Sequence, residues 1–460
     1  MLFTLKKLNI AATLLLGLYA TSSFALTNEP SRITNEYIPL KIDEVPDRPR
    51  GLLEIGDTLL GNNAPSAGFI LPTGAVWQPF LYVYGSYRTA LQTYEKNQVT
   101  NSEWANRLDL FAELRLTGTE RLHIGFRPFD KEGKFAGYNF EDKDNHWREE
   151  GLNMDVQTLF FEGDFGEIFP GLDPNDNGYT DIGFSVGRQP INIQDGFMIN
   201  DVFDSVGFSF NGFQFPQAGY WKMTALYGWA ELHRGNNKKD PSSNLIGFFN
   251  EIEFLKTTVN FDAVYVVSDN NDDGLYFGLS AVQRFGMFNT TFRANTSIAV
   301  QQESDQMKDG TLLFAELSFT PRSTQDLAYA NVFWGIDEYT SAGRGPANGG
   351  PLGRAGILFA AVGLGGYKPA LSNSGANSFG GSIGYQMLFN GGHQQIIVEF
   401  GGRKDTNGNS GQVNTGIALG ASYKQRLGNH TILRFDTFGS QYEGDANLGY
   451  GARTELQFKF

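Results

Sequence analysis

The chain has 460 residues, with 36 Lys and Arg against 50 Asp and Glu, and no cysteine. A net charge of −14 speaks against nucleic acid as a partner, and without cysteine neither a disulfide framework nor thiolate chemistry can operate. Glycine (56 residues) and aromatic side chains (14%) are abundant while the mean hydropathy is only −0.29, a combination that suits strands whose apolar and polar residues cancel on average.

Residues 1–25 read as a secretory signal. Lys6 and Lys7 precede an apolar stretch from Leu8 to Tyr19 broken only by Asn9 and Thr13, and Ser23-Phe24-Ala25 supplies small residues for cleavage. That stretch is too short to cross a bilayer, which takes about 20 residues, and no later run is long enough. Loss of the two lysines leaves 34 basic against 50 acidic side chains, a net −16. Residues 26–76 hold Pro30, Pro39, Pro46, Pro49, Pro65 and Pro72 with little alternation, and are expected to form an irregular periplasmic lead-in.

From Trp77 to the last residue the pattern has period two. Leu108, Leu110, Ala112, Leu114 and Leu116 share one parity, and Arg107, Asp109, Glu113 and Arg115 the other. The next run sets Leu122, Ile124 and Phe126 against Arg121, His123 and Arg127, with only a tight Gly118-Thr119 turn between the two runs. The alternation recurs with Ile396, Val398 and Phe400 against Gln395, Glu399 and Arg403, and with Leu456 and Phe458 against Arg453, Glu455 and Lys459. About 18 such segments (16 to 18) are present, most near the 9 to 11 residues of a tilted membrane strand.

Connections sort into short turns, near Gly118, Leu255-Lys256, Gly286-Met287, Pro321-Arg322, Asn390-Gly391-Gly392 and Gly428-Asn429, and long polar loops at 92–102, 131–153, 233–244, 302–309, 336–377 and 405–412. Short turns alternating with long loops predict a barrel with a periplasmic and an external side. A soluble β-helix or sandwich also alternates, but its turns need not alternate in length. The expected fold is all-β: a transmembrane antiparallel β-barrel over 77–460 whose C-terminal strand ends in Phe460, in phase with Leu456 and Phe458. One connection, 166–180, is too long for its side and is expected to carry structure of its own.

In such a barrel a basic residue facing lipid costs about 2 to 4 kcal/mol at the midplane, so the charged parity is assigned to the lumen. The basic set is Arg88, Arg107, Arg115, Arg121, Arg127, Arg293, Arg403, Arg434 and Arg453; the acidic set is Asp109, Glu113, Glu162, Glu251, Glu253, Asp262, Glu316, Glu399, Asp436 and Glu455. Such residues either meet solute or pair across strands and brace the wall. Arg107, Arg115, Arg121 and Arg127 cluster on adjacent segments and are the stronger candidates for solute contact, with Arg293, Arg403, Arg434, Arg453, Glu113 and Glu399 beside them. Loop 336–377 contains the apolar run Ala355-Gly356-Ile357-Leu358-Phe359-Ala360-Ala361-Val362-Gly363-Leu364, a liability in water. It is expected either to fold into the mouth or lumen as a constriction or to add a strand pair.

Asp173, Asn175, Asn177 and Asp181, with Gly178 at the sixth place, match the first half of a calcium loop, although the acidic residue of the twelfth place is missing; a metal-free polar turn is the other reading. Apart from possible Ca2+, no cofactor is expected. His123, His146, His233, His393 and His430 form no metal spacing, and no local signature of a hydrolase is present.

Val186-Gly187-Arg188-Gln189-Pro190, followed by 193–201, resembles strands of outer-membrane porins of the alginate-export type and, more loosely, of the substrate-specific porins. The resemblance implies a monomeric diffusion channel in a Gram-negative outer membrane, with lumen arginines touching an anionic polymer or solute. It also implies that the strand ending in Phe460 is recognised by the barrel assembly machinery, with the bilayer and lipopolysaccharide as further partners. The acidic lumen set departs from a purely basic conduit. The function expected is passive passage of polar or anionic solutes or polysaccharide. A surface adhesin or scaffold barrel with a plugged lumen, and an outer-membrane hydrolase, are the alternatives.

Overall fold

The computed structural model describes residues 50–56, 67–96, 99–142, 146–175, 178, 180–215, 218–303, 306–407, 415–445 and 447–460. The expected signal at 1–25 and the lead-in up to Pro49 lie outside the described residues.

Eighteen strands form the wall: β1 Phe80–Lys96, β2 Val99–Arg115, β3 Arg121–Phe126, β4 Val156–Asp164, β5 Ile182–Ile193, β6 Ile199–Phe215, β7 Ala218–Trp229, β8 Asn244–Glu253 and β9 Thr257–Val267. They continue as β10 Gly274–Phe285, β11 Phe288–Ala299, β12 Gly310–Phe319, β13 Leu327–Asp337, β14 Ser378–Phe389, β15 Gln394–Asp405, β16 Gly416–Leu427, β17 Thr431–Tyr442 and β18 Gly449–Lys459. Each pairs antiparallel with the next, and β18 returns to β1 from Tyr450↔Glu95 to Lys459↔Ser86. Closure leaves the sheet without a free edge, the condition under which strands can sit in hydrocarbon.

The period-two pattern becomes two surfaces. On β15, Val398 and Phe400 point outward and are exposed, while Glu399 between them and Arg403 farther along are buried inside. Phe248, Phe261, Val332, Trp334, Ile383 and Leu419 extend the outward band around the barrel, each more than half exposed. A continuous apolar belt of this kind requires lipid around it.

Connections on one end of the barrel are short, as at 254–256, 286–287 and 428–430, and the long loops lie at the other. The connection 165–181 does carry structure: a four-residue helix, Phe165–Ile168, capped by Asp164 through Gly166 N–H at 2.8 Å, then a 3-10 turn, Pro170–Leu172. The expected loop at 92–102 is instead ladder, paired from Gln92↔Glu103 to Lys96↔Val99. The reason lies across β2. Where β3 stops at Phe126, the next loop contributes Lys134–Asn139, which pairs with β2 from Glu103↔Asn139 to Asn106↔Ala136 and supports the extended strands from the other side. From the lead-in, Leu53–Ile55 pairs with Leu81–Val83 of β1. It continues the ladder below the point where Phe460 and Gly85 exchange backbone hydrogen bonds of 3.1 and 2.7 Å.

Candidate functional site

Two inserts narrow the lumen. The first was not visible as such in the sequence: the upper end of the β5–β6 hairpin. Pairing of β5 to β4 ends at Leu159↔Arg188 and pairing of β6 to β7 ends at Asp204↔Trp229, yet β5 and β6 remain paired with each other as far as Ile193↔Ile199. The hairpin therefore leaves the wall and bends into the lumen. Its tip docks farther along the wall, where Gln194 Nε2 donates to Asp262 Oδ2 at 2.7 Å on β9 and Arg293 of β11 grips Asp195. Met198, Ile199 and Phe203 pack with Leu226, Leu245, Val264 and Val266 in a dry cluster. Gln194 (φ 55) and Asp195 (φ 53) both adopt the left-handed conformation. That costs roughly 1–2 kcal/mol per non-glycine residue, and the docking contacts offset it.

The second insert is loop 338–377, which folds inward as the constriction reading expects. It adds no strand pair to the wall; only Gly343–Arg344 forms strand, parallel to Ile199–Asn200 of the hairpin. Its apolar run is buried: Leu352, Leu358, Phe359 and Leu371 pack on Leu312, Phe314 and Phe333 of β12 and β13 and on Phe197 of the tip. Its backbone is tied to the wall on both flanks. Glu399 accepts from Ile357 N (2.8 Å) and Leu358 N (3.2 Å), and Arg403 donates to Ser372 O and Ser374 O. Opposite, Arg88, Arg107 and Gln92 donate to the carbonyls of Val362, Gly363 and Leu364 at 3.0–3.1 Å.

Residue Gly365 (φ +67) lies so close to the wall that a Cβ would fall 2.2 Å from Gln92 Nε2 and 2.5 Å from Glu103 Oε1. Gly365→Ala is therefore expected to lift this flank of the loop and expose 351–371 to added protease. The heat-modifiable gel mobility of the barrel should stay unchanged, because the wall ladders are untouched.

The two inserts also hold each other. Arg344 in the loop is 1% exposed and donates to Gly196 O of the tip and to Ser341 Oγ. Tyr339 and Ser341 hydroxyls donate to Phe197 O at 2.9 and 2.8 Å. Burial brings the Arg344 guanidinium down to about 10, so it remains charged at neutral pH.

The expected lumen residues thus divide. Arg293, Arg403, Arg453 and Glu399 are buried and serve as anchors or wall braces, with Arg453 paired to Asp436 (3.1 Å) and Glu455. Arg107, Arg115, Arg121, Arg127 and Arg434 keep part of their side chains in the water-filled space. The structure brings the first four together in two triads. Arg107 and Arg127 share Asp109 (2.9 and 2.8 Å), and Arg115 and Arg121 share Glu113 (2.9 and 3.5 Å). Arg434 pairs with Asp436 at 2.7 Å. Every one of these guanidinium groups has a carboxylate partner, so these arginines present paired charge and not bare cations.

Among the described residues, three cavities of 320 Å³ or more lie beside the inserts. One of 320 Å³ lies among Arg107, Arg127, Arg188, Asp201, His233 and Asn348. Beneath the hairpin are one of 440 Å³, walled by small residues such as Gly163, Ser185, Gly207 and Ser209, and one of 550 Å³, walled by Asn192, Asn250, Asn260, Ser280, Asp262 and Arg293. They adjoin along the hairpin, each pair of cavities having one residue of the run Ile191-Asn192-Ile193 in common.

Of the expected calcium ligands, Asn177 lies outside the described residues. Asp173, Asn175 and Asp181 lie in the 165–181 connection, and among the described residues no group of three or more His, Asp or Glu is placed to hold a metal.

No family model matches the sequence, and no curated protein matches it. The fold does match solved structures. OccK2 (OpdF) from Pseudomonas aeruginosa superposes with a TM-score of 0.57 at 8% identity, covering 83% of this chain and 97% of that one. The same protein solved in complex with glucuronate gives 0.56 at 9% identity, covering 85% and 99%. A BenF-like porin from Pseudomonas fluorescens Pf-5 gives 0.54 at 9% identity, covering 83% and 98%. The likeness is one of fold: a closed, antiparallel, 18-stranded barrel of the outer-membrane porin type.

Proposed function

We infer that the chain is a passive channel of the outer membrane, admitting polar or anionic solutes past a constriction made by the β5–β6 tip and loop 338–377. The observation that carries this reading is the set of three adjoining cavities along the hairpin flank, bordered by the Arg107–Asp109–Arg127 triad. Paired charge in a narrow, water-filled passage offers hydrogen bonds to a hydrated solute without trapping it, which is what conduction requires. The complex of OccK2 with glucuronate supports a small oxygen-rich anion as one cargo. The stretch 186–190, which resembles alginate-export porins, lies where β5 leaves the wall, and places an anionic polysaccharide of that kind among the cargoes to test. The work assigned is transport and not catalysis, with the bilayer, lipopolysaccharide and the barrel assembly machinery as partners.

Planar-bilayer conductance of the purified protein tests the reading. Discrete open steps are expected; closed traces would favour the scaffold alternative, in which the inserts plug the lumen. Neutralising Arg107, Arg115, Arg121 and Arg127 together should lower the anion-to-cation permeability ratio by about twofold or more. An unchanged ratio would reduce these arginines to wall braces.

A further inference from the structure

The lumen wall carries a second feature that the charge pattern does not explain. Below the inserts, inward-facing aromatic rings from four consecutive strands touch in an unbroken row. Phe80, Tyr82 and Tyr84 of β1 succeed one another at 6.3 and 4.8 Å between centroids, with interplanar angles of 16° and 21°. Tyr84 meets Phe111 of β2 at 5.4 Å, Phe111 meets His123 of β3 at 5.5 Å, and His123 stacks on Phe160 of β4 at 5.0 Å. The register requires this row: Tyr84 lies opposite Phe111, and His123 opposite Phe160.

Neither insert accounts for it. On β1 and β2 the hydrogen bonds from loop 338–377 come at Arg88, Gln92, Glu103 and Arg107, all toward the long-loop end. Tyr82, Tyr84 and Phe111 remain only half-buried, even though Gly51 of the lead-in lies against one edge of the Tyr82 ring. A barrel of this kind needs apolar side chains outside, where lipid is, and gains no insertion energy from apolar carbon along a wet lumen.

The row is also bordered by polar groups at regular intervals. Tyr84 Oη donates to Glu113 at 2.7 Å, Arg115 pairs with the same carboxylate, and the Arg121 guanidinium lies 5.7 Å over the Phe160 ring while it pairs with Glu162. Glu162 in turn lines the 440 Å³ cavity. Aromatic carbon edged by donors and acceptors is complementary to a pyranose ring, which has apolar C–H patches and a rim of hydroxyls.

We propose that this row is a carbohydrate-binding track, on which sugar rings rest as they move between the 440 Å³ cavity and the short-turn mouth. The proposal rests on the channel reading and narrows its cargo to saccharides, neutral or acidic. A saccharide gains contact from each ring it passes, while its hydroxyls exchange hydrogen bonds among Glu113, Arg115 and Arg121 without leaving the wall.

The test uses the full chain, with maltohexaose as a neutral probe and an oligogalacturonate of the same length as an acidic one. Binding to the detergent-solubilised protein is measured by calorimetry, and interruption of single-channel current is measured in bilayers. At least one probe should bind and interrupt the current, and Tyr82→Ala with Tyr84→Ala should raise its half-blocking concentration about tenfold. Tyr84→Phe, which keeps the ring, should stay within about twofold of the parent. Phe111→Leu, which preserves apolar volume should the double variant fail to fold, should lose most of the effect. Conducting channels that bind neither probe, or binding indifferent to loss of the rings, would overturn the track. Binding that depends on the rings in a protein that passes no current would sink the channel reading and leave the track standing.

Discussion

Replacing Glu399 with alanine should raise single-channel conductance by about two- to fivefold and make the open current noisy. The carboxylate is fully buried and accepts from Ile357 N, Leu358 N and the Tyr329 hydroxyl. Removing it strands three donors beneath the apolar turn of loop 338–377, and a buried donor left unmet costs about 1–3 kcal/mol. Water can meet those donors only if the turn lifts away from β15. The apolar face on Leu312, Phe314 and Phe333 opposes complete release, so the expected state is a loop that opens and closes, seen as noise. Glu399→Gln keeps one carbonyl acceptor and should fall between the parent and the alanine variant. Conductance indistinguishable from the parent in both variants would mean that apolar packing alone holds the loop.

Glu399 also shows where sequence reading reached its limit. Its inward parity was legible, because Val398 and Phe400 on either side had to face lipid. Its partner was not legible, because nothing in a period-two pattern says that a loop more than forty positions earlier will bring two backbone N–H groups to it. The strand count and the sidedness were readable because the bilayer imposes one constraint on every strand. The hairpin tip was not, since a strand that bends off the wall keeps its alternation. Nor does Phe197-Met198-Ile199 mark it, although all three are buried against the inserts and the wall, because wall strands carry similar apolar runs, as in Leu159-Phe160-Phe161 and Leu312-Leu313-Phe314. The alternation assigns the arginines only a parity; their pairing into triads through Asp109 and Glu113 depends on the β2–β3 geometry.

Arg344→Ala should have the larger effect on the constriction, because it removes the charged tie among those that join the two inserts and not one anchor of a single insert. The side chain is among the largest that are fully buried, and its guanidinium reaches Gly196 O in the tip while Nε donates to Ser341. Hydrogen bonds from a charged donor contribute about 1.5–3 kcal/mol, and truncation also leaves an arginine-sized void in a packed region. The tip feels the loss most. Gln194 and Asp195 hold left-handed backbone at the docked tip, so strain favours its retreat once Gly196 O has no donor. The expected outcome is a conductance several times that of the parent and proteolytic cleavage in intact membranes within both 194–198 and 338–377, with the wall still heat-modifiable. Arg344→Met separates the causes, since it fills much of the void and donates nothing. If methionine behaves like alanine, the hydrogen bonds join the inserts; if it behaves like the parent, packing does. Cleavage confined to 338–377 with an unmoved tip would show that the remaining contacts, among them Asp262 and Arg293, suffice to hold the hairpin in the lumen.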